Sequence, residues 1–187
     1  MDISTIDVRA LHLGDAVSLD GIVHTGRDRF HKYIHDGGAL PTGVDLHSSA
    51  LYHCGPVMIS SADGKWQMVA GGPTTSSREE PYEAELIERF GLRIIIGKGG
   101  MGARTLAACQ ACGCVYLQAV GGAAVSIADT VKKVEGVDFL ETFGAAEAMW
   151  HLRVGGFQAI VAMDAHGNSL YDTVAAASTQ RLATLLS

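Results

Sequence analysis

From Gly71 onward, short apolar runs alternate with amphipathic stretches, and that alternation confines this part of the chain to strand–helix–strand units. "EPYEAELIERFG" reads as a helix with Pro81 near its start and Gly91 as its stop. "LRIIIG" and "CVYLQAVGG" read as buried strands, with a short helix "GARTLAACQACG" between them. A helix is expected around "SIADTVKKV", an amphipathic one along "LETFGAAEAMWHLRV", a strand at "QAIVAMD" and a last helix around "AAASTQRLATLL". The first third is richer in strands. Asp20-Gly21 in "AVSLDGIVHTG" and Asp63-Gly64 in "VMISSADGKWQMVAGG" each predict a tight hairpin. Between them "RDRFHKYIHDGG" forms a helix that puts Phe30 and Ile34 on one face and ends at Gly37-Gly38. Hairpins followed by strand–helix alternation, with no repeat and no linker, indicate one α/β domain over residues 1–187 with mixed sheets.

Composition narrows the function classes. The chain is 48% hydrophobic over 187 residues, enough for one substantial core. A net charge of −6 argues against nucleic acid and anionic membrane as partners. No apolar run is long enough to span a bilayer, and "MDISTIDVRALHLGD" lacks the pattern of a signal peptide, so the expectation is a cytoplasmic protein. In that reducing compartment the four cysteines are core thiols, metal ligands or reactive groups.

Four stretches are candidates for chemistry. "CQACGC" brings Cys109, Cys112 and Cys114 together, but no second ligand cluster with zinc spacing follows, and two of the three lie on an alanine-rich helix. Packing is the simpler account, with a metal-binding module as the alternative. "IIIGKGGMGART" contains Gly97-x-Gly99-x-x-Gly102 between a strand and a helix, yet no acidic residue ends the next strand, as a dinucleotide site requires. What remains is a run of glycine amides beside Lys98 suited to an anion, or glycines serving close packing. In "GGPTTSSREE" four hydroxyls, Thr74 to Ser77, precede Arg78, which suits a carboxylate; the same letters also suit a helix N-cap. His31 and His35 resemble half a metal site without a third ligand, and Asp164, His166 and Asn168 suit either acid–base work or a polar turn.

Taken in order, "GRDRFHKYI", "HCGP", "GGPTTSSR", "GKGGMGARTL", "VYLQAVGGAAV", "MW" and "DAHGNSLY" resemble the β subunit of class I fumarate hydratases and of L-tartrate dehydratase, and the C-terminal half of single-chain fumarases. The resemblance runs from about Gly14 to Tyr171. It implies a swivelling β/β/α three-layer domain of a hydro-lyase that interconverts fumarate and L-malate, with tartrate or mesaconate as related diacids. It also implies a [4Fe-4S] cluster held by three cysteines of a partner α subunit, in an α2β2 assembly. By position, Arg27, Thr75 and Lys98 match substrate-binding residues. Thr74 matches the base for the carbon-bound proton, and Arg78 a catalytic cation; no metal ligand is implied in this chain. Gly26 stands where alanine is expected before Arg27, and Cys54 where alanine is common before Gly-Pro. The family has no fixed cysteines at 109, 112 and 114, which favours packing for that cluster.

Overall fold

The computed structural model describes residues 1–186. In chain order it contains β1 (Ala16–Thr25), α1 (Asp28–His35), β2 (Ala50–Tyr52), β3 (Val57–Ser60), β4 (Trp66–Ala70), α2 (Glu80–Phe90), β5 (Ile94–Gly97), α3 (Ala103–Cys112), β6 (Val115–Gln118), α4 (Ala124–Ala128), β7 (Val131–Asp138), α5 (Leu140–Phe143), β8 (Met149–Met163) and α6 (Leu170–Leu186). Six strands form a mixed sheet in the order β1-β2-β5-β6-β8-β7, and β1 also pairs with β8, so five of them close into a ring. β1, β2, β5 and β6 run parallel, while β8 is antiparallel to β1, β6 and β7. β3 and β4 make a separate hairpin turning at Gly64, where φ is +78°.

Strand alternation divides the buried side chains between two cores. Tyr52, Ile94, Ile96, Val115 and Leu117 point into the ring with Val23, Trp150 and Phe157. Their neighbours Leu51, Ile95 and Tyr116 point outward, where Phe30 and Ile34 of α1, Leu86 and Ile87 of α2, and Ala108 and Cys109 of α3 cover them. Central strands buried on both faces explain the unbroken apolar run Ile94–Ile96. Gly91 and Gly113 end α2 and α3 with φ of +62° and +77°, a region that costs glycine nothing.

Three expectations fail. Asp20-Gly21 is not a hairpin turn: β1 runs through it, with a register shift between Leu19 and Asp20. Gly21 adopts φ +137°, and Ile3 lies 3.1 Å from where its Cβ would be, so the glycine serves a bulge and a close approach. The helix around "SIADTVKKV" stops at Ala128 and gives way to β7. The amphipathic helix expected along "LETFGAAEAMWHLRV" is a single turn, α5, followed by the 15-residue strand β8.

On the β1–β8 seam His24 faces His151, their Nδ1 atoms 2.7 Å apart, and His151 Nε2 lies 2.8 Å from Asp138. Burial, helped by charge on His151, pushes His24 down from 6.5 to about 4. A base depressed in the folded state contributes stability above its unfolded value and loses it as pH falls through the folded one. The His24 contribution should therefore disappear between pH 6.5 and about 4, a loss of about 3 kcal/mol. Urea denaturation across that range should fall less steeply for His24→Phe than for the unaltered chain; equal slopes would contradict the assignment.

Candidate functional site

Parallel strands deliver their following residues to one end of the sheet, where α/β proteins build sites. Here that end carries Arg27 after β1, His53 to Gly55 after β2, the 71–78 segment after β4, and Lys98 after β5. Backbone bonds stitch these loops together. Thr74 N–H donates to His53 O at 2.6 Å, Ser76 N–H donates to Lys98 O at 2.9 Å, and Thr75 and Lys98 form a parallel bridge. Cys54 bridges Pro73, and Gly55 must be glycine because a Cβ there would lie 2.3 Å from Arg27 Nη1. Thr74, Thr75 and Lys98 thus share one strip, and Arg27 reaches it across Gly55.

The two arginines meet at Asp28. Arg78 pairs with both Asp28 oxygens, Nε at 3.0 Å, and Arg27 Nη2 lies 3.8 Å from Asp28 and 3.3 Å from Glu147. Arg27 Nε is buried without a partner. Lys98 has no ion-pair partner among the described residues. The hydroxyls of Thr74 and Thr75 make no hydrogen bond among the described residues, and Thr75 caps the following 3-10 turn without using its side chain. The helix-capping account of this stretch therefore leaves both hydroxyls unexplained. Glu79, buried with neither carboxylate oxygen bonded, is pushed up by burial, while His31 and Arg78 pull it the other way.

The start of α3, at the end of the glycine loop, is not a vacant anion site. Glu80 reaches across from α2 and accepts from Gly102 N–H at 2.6 Å, Thr105 Oγ1 at 2.7 Å, Arg104 N–H at 3.2 Å and Thr105 N–H at 3.3 Å. A carboxylate of the chain itself occupies the start of α3, and a Cβ at Gly102 would sit 2.6 Å from it. Asp164, the other acid–base candidate, folds onto its own loop, accepting from His166 N–H, Asn168 N–H and the Asn168 amide. That is a polar turn. His35 is exposed and pairs with Glu85.

Beneath the strip lies a cluster that sequence spacing does not reveal. Glu83 Oε2 accepts from His31 Nε2 at 2.8 Å and from His53 Nε2 at 3.1 Å, all three side chains being fully buried. His31 Nδ1 bonds Arg27 O at 2.8 Å, His53 Nδ1 meets Ser76 Oγ at 2.9 Å, and Tyr116 Oη donates to Ser76 Oγ at 3.0 Å. Burial alone would raise the Glu83 carboxyl, but the two imidazoles hold it down to about 2. The Glu83 contact raises His31 against the effect of burial; burial, with charge on His31, lowers His53. Both ring nitrogens of His31 face acceptors, the Arg27 carbonyl and the Glu83 carboxylate, which suits a doubly protonated ring. His53 meets the carboxylate at Nε2 and a hydroxyl at Nδ1, which suits a neutral ring protonated at Nε2.

The thiols do not suit a cluster. Cys109 and Cys114 are buried and Cys112 is exposed. Among the described residues only His31, His53 and Glu83 bring three ligand-type atoms within 4.8 Å of one another. Burial and the neighbouring Cys109 raise the Cys114 thiol well above its ordinary value, as expected of a thiol packed in a core. Cys112→Ser should change stability by less than about 0.5 kcal/mol in chemical denaturation.

Among the described residues no helix is long and apolar enough to cross a membrane. Residues 2–174 match the protein family described as Fumarase C-terminus. A Geobacillus stearothermophilus protein named as a class I fumarate hydratase is 52% identical over 94% of this chain, which spans 33% of that relative's length. Proteins named as the β subunit of L(+)-tartrate dehydratase are similar as well. The one from Methanocaldococcus jannaschii is 42% identical over 90% of this chain and 87% of its own. The one from Escherichia coli K12 is 38% identical over 88% and 81%. With the family match covering nearly the whole sequence, the chain belongs to the fumarase C-terminal family.

Proposed function

We propose that this chain is the β-type part of a class I iron–sulfur hydro-lyase, acting with a separate α subunit to interconvert fumarate and L-malate. The observation that carries the reading is the strip itself: two unbonded threonine hydroxyls beside a free lysine, flanked by Arg27 and Arg78. A small dianion needs such cations, and a carboxylate is met best by the planar fork of arginine. The strip is open, with Thr75 and Arg78 exposed, which fits a half-site completed by another polypeptide. The swivelling three-layer arrangement, closing over that partner, and an α2β2 assembly belong to the same reading.

In the dehydration direction the C–H bond next to one carboxylate breaks, and its electron pair moves into that carboxylate, which gains negative charge. Arg27, Arg78 and Lys98 stabilise that charge once a partner covers the open strip and excludes water. Thr74 takes the proton as its alkoxide, and the electron pair then returns to form the C=C bond as the C–O bond breaks and the hydroxyl leaves as water. A threonine hydroxyl is a weak base, so it depends on a cation such as Lys98 or a partner group to lower its pKa. The thiols of this chain do not fit the [4Fe-4S] cluster, which the reading assigns to three cysteines of the α subunit. Bound there, it would supply a Lewis acid for the substrate hydroxyl.

Tartrate dehydration is the second reading, because proteins named as tartrate dehydratase β subunits are 42% and 38% identical to this chain. Co-expression with a candidate α subunit, anaerobic cluster reconstitution and a panel of fumarate, L-malate, tartrate and mesaconate separate the two. Thr74→Ala and Arg78→Ala should each lower kcat by roughly 100-fold or more with cluster content unchanged. Near-normal turnover in either variant removes that residue from the mechanism.

A further inference from the structure

We propose that His31, Glu83, His53 and Ser76 form an internal brace that positions the Thr74–Arg78 turn for catalysis without touching substrate. The inference rests on the hydro-lyase reading for its kinetic consequences and on geometry alone for its existence. Every hydrogen-bonding ring nitrogen is accounted for. His53 holds the turn twice: its backbone carbonyl accepts from Thr74 N–H, and its Nδ1 accepts from the Ser76 hydroxyl. Its Nε2–H ends on Glu83, which His31 also grips, and His31 Nδ1–H donates to the carbonyl of Arg27. One carboxylate therefore couples the start of α1, which carries Arg27, to the turn that carries Thr74. Tyr116, on β6, fixes the Ser76 hydroxyl from the opposite side.

A hydroxyl bonded by a neutral imidazole has one orientation, so Ser76 cannot rotate without losing a buried bond. Thr74 lies two residues away between the Cys54–Pro73 and Thr75–Lys98 bridges, and the brace adds a buried side-chain anchor to those backbone bonds. Displacement of a reacting group by about 1 Å costs roughly a hundredfold in rate.

The same three residues, His31, His53 and Glu83, are the compact metal-ligand set among the described residues, and a bound metal is the competing occupant. A metal would strip the Nε2 protons from both rings, whereas the brace requires them. Long-range nitrogen NMR of the nitrogen-15-labelled chain, after zinc and iron analysis, decides between them. The brace predicts His31 protonated on both nitrogens and His53 on Nε2 alone. One zinc or iron per chain, lost in Glu83→Gln, or a His53 proton on Nδ1, overturns it.

In the reconstituted holoenzyme, Ser76→Ala should lower kcat roughly tenfold to a hundredfold, with KM for the diacid within about twofold. His53→Asn keeps an acceptor near Nδ1 for Ser76, and His53→Gln keeps only a donor near Nε2 for Glu83. Asn should therefore retain much more kcat than Gln, a difference that a merely structural role would not produce. If the two variants have equal kcat, or Ser76→Ala turns over normally, the positioning role is gone. Absence of turnover of every diacid by the unaltered pair sinks the hydro-lyase reading instead, and the NMR measurement then decides whether the brace exists.

Discussion

Glu83→Ala should destabilise the fold by about 3–5 kcal/mol, measured by urea denaturation at neutral pH. The cost is larger than for a surface ion pair because the partner left behind is a charged imidazole with no access to water. His31 would have to shed its proton, and the His53 Nε2–H would lose its acceptor. The pH dependence has a definite sign. Glu83 is held at about 2, below its ordinary 4.5, so its contribution is complete above pH 4.5 and lost as pH falls toward 2. His31 is raised above 6.5, so its contribution is complete below that value and lost as pH rises through the raised one. The pair therefore works best in mildly acidic to neutral solution, and Glu83→Gln should flatten both flanks of the stability profile. Unchanged flanks would show that the pair does not ionise as described.

Gly97→Ala carries the second large effect. An added Cβ would stand 1.9 Å from Ser76 Oγ and 3.1 Å from the Tyr116 hydroxyl, so the Ser76 turn must move. Overpacking of this kind costs about 1–3 kcal/mol, and a displaced turn lowers turnover by roughly a hundredfold. The backbone at Gly97 is outside the left-handed region, so the clash alone is responsible. Ser76→Ala in the same chain removes the offending oxygen and leaves Ser76 Cβ, 3.2 Å away, among the nearest atoms. The double variant should accordingly recover melting temperature relative to Gly97→Ala without recovering activity. Additive losses would place the strain elsewhere.

Much of the fold is legible where local signals agree. α2, α3, β5 and β6 are bounded by Pro81, Gly91 and Gly113, and apolar triplets such as Ile94–Ile96 admit little else. β7 misleads for a physical reason. Register shifts between Val131 and Lys133 and between Val134 and Gly136 stretch the inward spacing of a strand from two residues to three. Val131, Val134 and Val137 all pack on the ring's core, and their spacing imitates a helix. β8 is hidden similarly, because Gly155-Gly156 looks like a stop, yet Gly156 at φ +77° donates its N–H to Asp20 and the strand continues. At the site, Arg27, Thr74, Thr75, Arg78 and Lys98 stand out as residue types suited to anions. His53 and Glu83 do not: each is separated from its partners by 23 or more positions, and only the folded chain brings them together.

Glu80 has a consequence for how α2 and α3 are held together. Its carboxylate is fastened to the first turn of α3 by four bonds while its backbone begins α2. The Ser76–Arg78 turn opens directly into α2, and Lys98 leads through the glycines into α3. The loop that carries the arginine and the loop that carries the lysine are thereby tied through one carboxylate, so that a change at Glu80 would loosen both at once.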